Sequence, residues 1–133
     1  MKLTKAQREQ VRAMFDGHCA YCGCELGDKW HADHFLPVVR TVGFMGHGTQ
    51  TGAPTKPERD CIENMMPACP SCNIYKHSMS LEGWRRLLNT IPAMLTRDNS
   101  IYRHGVRFGL IAPTGNTVQF HFEKVAAAKA AAA

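Results

Sequence analysis

The apolar positions near the start of the chain fall on one helical face. Val11, Met14 and Phe15 recur three and four apart, which predicts an amphipathic helix over 5–16. Thr4 and Gln7 have capping-box spacing at its start, and Gly17 stands where a helix stops. A knuckle follows, His18-Cys19-Ala20-Tyr21-Cys22-Gly23-Cys24, with glycine for the tight turn. Residues 29–36 read as a short strand that breaks at Pro37. Residues 40–60 are rich in Gly, Thr and Pro, show no period, and read as a long loop. His47 within it reads as solvent-exposed. A second knuckle, Cys69-Pro70-Ser71-Cys72, opens a short helix over 71–78. Ser80 caps a further expected helix over 81–95, with Leu81, Trp84, Leu87, Leu88 and Ile91 on a core-facing stripe. Residues 99–109 admit a helix. Pro113 to Asn116 is a turn, and the alternation from Val118 to Glu123 predicts an edge strand. Residues 125–133 are alanine-rich low complexity, a helical tail or a fusion remnant, and are set aside. There is no internal repeat.

The length of 133 residues suits one domain over 1–124 ahead of that tail. A core of this size is modest, so a structural metal would help it. The start, MKLTKAQREQ, has no apolar run of signal-peptide type, and no run elsewhere is long enough for a bilayer. The expectation is a cytoplasmic protein without a membrane partner. In that reducing compartment the six cysteines read as metal ligands before they read as disulfides. The formal net charge is +5, and four thiolates on one Zn²⁺ would lower it to about +3. That balance tolerates a polyanion without demonstrating one.

Cys19-x-x-Cys22 and Cys69-x-x-Cys72 form two pairs 46 residues apart. Each CxxC sets two thiolates at a bite that suits tetrahedral Zn²⁺, and two pairs close the shell. A closed shell has no open position for water, so the expected zinc is structural. Cys24 and Cys61 are left over, with His18 and His31 as substitute ligands of low rank. The pairs tie the strand carrying Asp33 and His34 to the helix carrying Asn73, Lys76 and His77, with Asn64 just before it. Asn73 and His77 are four apart, which predicts one helical face for both. A helix start there also favours a phosphate.

The string C-A-Y-C-x-C-x-L … D-H-F-x-P … N-M-M-P-A-C-P-S-C-N-x-x-K resembles the cysteine-containing branch of the HNH endonucleases, over residues 19–77. The resemblance implies an α+β fold with a ββα-metal (His-Me finger) core and a four-cysteine zinc knuckle. N- and C-terminal helices and a C-terminal strand would flank that core. The extension over 80–124 looks like the tail of small phage and prophage HNH proteins. The resemblance also implies roles. His34 matches the general base, Asp33 and Asn73 match ligands of a catalytic Mg²⁺ or Mn²⁺, and Asn64 matches the residue whose amide holds the His34 ring. His77 matches a third ligand of histidine-rich members, which would admit Ni²⁺, and Lys76 would contact a phosphate or stabilise the transition state. DNA is the implied substrate, cut to 5′-phosphate and 3′-hydroxyl ends.

Arg85, Arg86, Arg97, Arg103 and Arg107 face only Glu82 and Asp98 as acids between 81 and 110, which reads as a DNA-backbone surface or a solvated face. A non-catalytic zinc module that binds nucleic acid or protein is the alternative to the nuclease. It has no need for Asp33, His34, Asn64 and Asn73 together. A CxxC redox protein lacks its βαβ pattern here.

Overall fold

The computed structural model describes residues 1–44 and 49–133, so His47 lies outside the described residues. The chain divides into two units, Met1–Leu81 with Phe120–Ala133, and Glu82–Gln119. The alanine-rich residues 125–133 belong to the first unit.

In the first unit, α1 spans Lys5–Ala13. The Thr4 hydroxyl accepts from the Gln7 N–H at 3.2 Å, and the Thr4 N–H donates to Gln7 Oε1 at 2.9 Å. This satisfies two groups that a helix start leaves without partners. Thr4→Ala is expected to cost about 1 kcal/mol in a denaturant melt, with zinc content unchanged. Gly17, at φ +76, follows the helix in the left-handed region that glycine adopts without strain. Val11 carries the buried face. Arg8 lays its guanidinium 4.3 Å over the ring of buried Trp30.

Strand β1 (His31–His34) pairs antiparallel with β4 (Met65–Ala68), with Asp33 opposite Met66 and His34 opposite Met65. Helix α2 (Pro70–Lys76) follows β4 directly, begins at Cys69 and packs against β1. Cys69 precedes Pro70, whose missing N–H costs nothing in a first turn. Around this joint Cys19, Ala20, Tyr21, Leu26, Met65, Ala68 and Phe120 form the core.

The region expected as one long loop contains a second antiparallel pair, β2 (Arg40–Phe44) with β3 (Thr49–Pro54). Its glycines hid the β-branched Thr41, Val42, Thr49 and Thr51, which favour extended backbone. Thr55 closes the base of this excursion by donating its N–H and hydroxyl to the Val39 carbonyl, at 2.7 and 2.8 Å.

The expected strand at Val118–Glu123 is absent: residues His121–Ala132 form a helix, α6, the last in the chain. Strong alanine propensity extends the helix upstream. Its first N–H groups have no partner within the helix. Those of His121 and Phe122 donate to the carbonyls of Tyr21 and Ala20, at 2.9 and 2.8 Å. The alternation of Phe120 and Phe122 records packing instead of pairing: Phe120 stands edge-on to Tyr21 and Phe122 edge-on to Phe35. A Cβ on Gly23, at φ +77, would meet His121 Nδ1 at 2.9 Å, so the knuckle needs glycine for space as well as for conformation.

The second unit is helical. The helix expected over 81–95 is two, α3 (Leu81–Asn89) and α4 (Ile91–Asp98). Pro92 has no N–H to give and its ring would meet the carbonyl four residues back, so the helix restarts around it. Trp84 is the buried residue of the expected stripe. Helix α5 (Ser100–Arg107) is capped by the Asn99 side chain, which accepts from the Tyr102 N–H at 2.9 Å. It packs against α4. Arg85 bonds the Val118 carbonyl and Glu82, Arg97 pairs with Asp98, and Arg103 caps the carbonyls of Thr96 and Arg97. Three of the five arginines expected to form a basic face thus have partners within the unit. No helix among the described residues is long and apolar enough to cross a membrane.

Candidate functional site

Two knuckles bring four sulfurs together. Cys19 and Cys22 come from the turn after α1, and Cys69 and Cys72 from the start of α2. Their Sγ atoms all lie within 4.8 Å of one another. Cys22 and Cys69 are 3.9 Å apart at sulfur, close to the edge of about 3.8 Å that a tetrahedron with Zn–S near 2.3 Å requires. Backbone N–H groups point at the sulfurs, Cys69 N to Cys19 and Cys72 N to Cys69, both at 3.4 Å. A hydrogen bond with Cys72 holds the Cys19 thiol down to about 4, and the same contact pushes Cys72 up. A divalent soft cation held by the four sulfurs would favour the ionised form of every one. Cys24 and Cys61 lie outside the group. His18 turns its Nδ1 to the carbonyls of Phe15 and Asp16, and His31 is exposed, so neither substitutes for a cysteine.

The four-cysteine framework leads straight to Asp33. Tyr21, between the first two cysteines, donates its hydroxyl to Asp33 Oδ2 at 2.5 Å. Lys76, on the last turn of α2, places its ammonium 2.9 Å from the same oxygen and donates to the His34 carbonyl at 2.8 Å. Burial, then the Asp33 charge, push the Tyr21 phenol up, so it stays protonated and donates. Lys76 is fully buried. The expectation of a lysine on a substrate phosphate, or one merely solvated, is therefore corrected: its charge is spent inside the protein. Both bonds fall on Oδ2. Among the described residues Oδ1 makes none, so its lone pairs are available to a cation.

Asp33, His34 and His77 line one cavity of about 160 Å³, together with Pro37, Val38 and Ser78. His77 enters it by leaving the helix: α2 ends at Lys76, and His77 has φ +50 and ψ −129. The expected shared face with Asn73 does not form, because the four-residue rule holds only inside a helix. Asn73 stays in the body of α2 and is not among the residues lining the cavity. His77 Nδ1 is bonded to Ser78 Oγ at 2.8 Å, so Nε2 is the ring nitrogen that could meet a cation.

The Asn64 side chain was expected on the His34 ring. It bonds backbone instead, donating to the carbonyls of Leu36 and Arg59 at 2.9 and 2.8 Å and accepting from the Leu36 N–H at 2.9 Å. It thus clamps the chain that leaves β1. The ring itself meets Asp60, with His34 Nε2 2.9 Å from Oδ1. The other carboxylate oxygen of Asp60 pairs with the Met1 amine. That amine first, and His34 second, hold the Asp60 carboxyl below its usual range.

The chain is 31% identical over 83 residues to a protein of Bacillus subtilis (strain 168) named "SPbeta prophage-derived putative HNH endonuclease YoqL". The match covers 62% of this chain and 33% of that protein, so the chain spans about a third of the length of the relative it matches. No family model matches the chain, and no solved structure matches it. The similarity agrees with the HNH resemblance of the motif string.

Two residues of the site escaped the sequence reading. Tyr21 stood inside the motif with no role, and its only signal was an aromatic hydroxyl fixed between two ligands. Asp60 gave no signal at all, because it approaches His34 only once the β2–β3 excursion folds back.

Proposed function

We propose that this chain is a metal-dependent HNH-type endonuclease that hydrolyses phosphodiester bonds in DNA. The observation that carries the reading is that adjacent Asp33 and His34, at the end of β1, share one cavity with His77 from the end of α2. In this reading β1, β4 and α2 are the strand–strand–helix core, and a zinc ion on Cys19, Cys22, Cys69 and Cys72 locks α2 onto the strands.

Asp33 Oδ1 and His77 Nε2 offer one carboxylate and one imidazole, a donor set that suits a divalent ion such as Mg²⁺ or Mn²⁺ with the remaining positions left to water and phosphate. Bound there, the ion supplies charge for the phosphate and for the leaving 3′ oxygen. The chain's own residues do the rest. Lys76 and Tyr21 hold Oδ2 of Asp33 and so fix the direction in which Oδ1 is presented. His34 takes a proton from the attacking water. Asn64 fixes the backbone just after His34. Arg86 and Arg107, without ion pairs among the described residues, offer charge to the DNA backbone.

Supercoiled plasmid tests this directly. Purified protein is expected to nick or linearise it with Mg²⁺ or Mn²⁺ and to leave it intact in EDTA. His34→Ala should cut at least about a hundredfold more slowly, with unchanged zinc content. Cleavage by that variant at the wild-type rate, or intact plasmid under every condition, would overturn the reading.

A further inference from the structure

The His34 imidazole has a partner from a distant part of the chain. Asp60 lies 26 residues on, at the end of a single 3₁₀ turn over Pro57–Arg59. Its backbone N–H is bonded to the Pro57 carbonyl at 3.0 Å. Arg59 of the same turn reaches the Pro37 carbonyl at 3.1 Å. The Asn64 amide joins the Arg59 carbonyl to that of Leu36. The turn carrying Asp60 is thus tied at two points to the segment that leaves His34, directly through Arg59 and by way of the Asn64 amide. These bonds hold the carboxylate opposite the ring.

An ionised carboxylate has only acceptors to offer. The proton in the His34–Asp60 contact therefore belongs to Nε2, and in the neutral ring Nδ1 is then the nitrogen that carries none. The low carboxyl pKa of Asp60 agrees with that assignment. A neutral imidazole without a fixed partner exchanges between two tautomers and rotates about its last bond. A base built that way presents the right nitrogen only part of the time.

We propose that Asp60 is a positioning residue that holds the His34 imidazole in its Nε2–H tautomer and so presents Nδ1 to the attacking water. The role of the water rests on the nuclease reading, whereas the tautomer does not. In this role Asp60 acts only through His34. The contact of its other oxygen with the Met1 amine is no part of the proposal.

Two readouts on the zinc-loaded full chain test it. Long-range ¹⁵N–¹H NMR of the histidine rings reads the tautomer, and plasmid cleavage reads kcat and KM. Wild-type His34 should show the Nε2–H pattern. In Asp60→Ala the pattern should average toward both tautomers. There kcat should fall about 10- to 100-fold, while KM moves less than about twofold. Asp60→Glu should restore both signals in part. His34→Ala with Asp60→Ala should cut no more slowly than His34→Ala alone, because the two act as one unit. A wild-type ring in the Nδ1–H form, or unchanged kcat in Asp60→Ala, would overturn the proposal. Should the wild-type chain cut no DNA, the nuclease reading fails alone. The NMR then decides the tautomer: a mixed pattern in Asp60→Ala upholds Asp60 as its cause, and an unchanged Nε2–H pattern removes it.

Discussion

Cys69→Ser is expected to leave the first unit unfolded or barely folded once free zinc is chelated. The reasoning is one of scale. A closed four-thiolate site contributes on the order of 10 kcal/mol to folding, and a domain of this size is stable by only about 5–15 kcal/mol in total. The metal would also join segments far apart in the chain, since Cys19 and Cys22 follow α1 whereas Cys69 and Cys72 begin α2. Metal analysis should find about one zinc per wild-type chain and none in the variant. The melting transition should broaden or vanish. Cys24→Ser and Cys61→Ser provide the contrast, because both sulfurs lie outside the cluster. Both should keep the metal and melt within a few degrees of wild type, about 0.5 kcal/mol of it. Acid should mimic the loss, since protons compete with zinc for the thiolates. A Cys69→Ser protein with a full zinc complement and a wild-type melt would show that the cluster is not a zinc site.

The second large effect is expected from Lys76→Met. The substitution keeps most of the side-chain volume and removes the ammonium from Asp33. The Lys76 side chain is 0% exposed and that of Asp33 9%, so solvent screens the pair little. Breaking a buried pair from one side costs about 3–5 kcal/mol, because the surviving charge is stranded. For a unit of this size that is roughly 15–30 °C in Tm. A solvated lysine would instead cost within about 0.5 kcal/mol. The double variant Asp33→Asn with Lys76→Met should regain much of the loss, since no charge is then left unpaired. If the two losses simply add, the buried pair is not what stabilises the site.

What the sequence shows of this protein depends on the range of the interaction. The cysteine ligands are legible because a CxxC bite is set by four consecutive residues. Helix α1 is legible because Thr4 and Gln7 cap within one turn. Asp33 and His34 are legible as a pair, and the spacing of the knuckles brings them to α2. The misreadings occur where tertiary contacts override local pattern. Lys76 reads as surface until Asp33, Tyr21 and the His34 carbonyl surround it. Val118 to Glu123 alternates like a strand because Phe120 and Phe122 pack on Tyr21 and Phe35, while the backbone turns into α6 and donates to the knuckle. Asp60 takes the part expected of Asn64: the amide holds backbone and the carboxylate holds the ring. That reassignment becomes visible only when residues 35 and 64 are adjacent, joined by the Phe35 N–H to Asn64 carbonyl bond at 2.8 Å. Pro92 is a misreading of a different kind, since its effect on the helix is local and the apolar stripe concealed it.

The excursion carrying β2 and β3 leaves the core at Val39 and returns at Thr55, two residues already bonded to each other. Everything that fixes His34, Asp60 and Asn64 lies outside that clip. A segment closed at its base in this way can change length at little cost, since doubling a loop adds only about 0.6 kcal/mol of closure entropy. The chain thus has an insertion port beside its cavity. Descendants or designers can exchange the stretch between the clip residues, for longer reach or a new recognition element, while the chemistry stays in place.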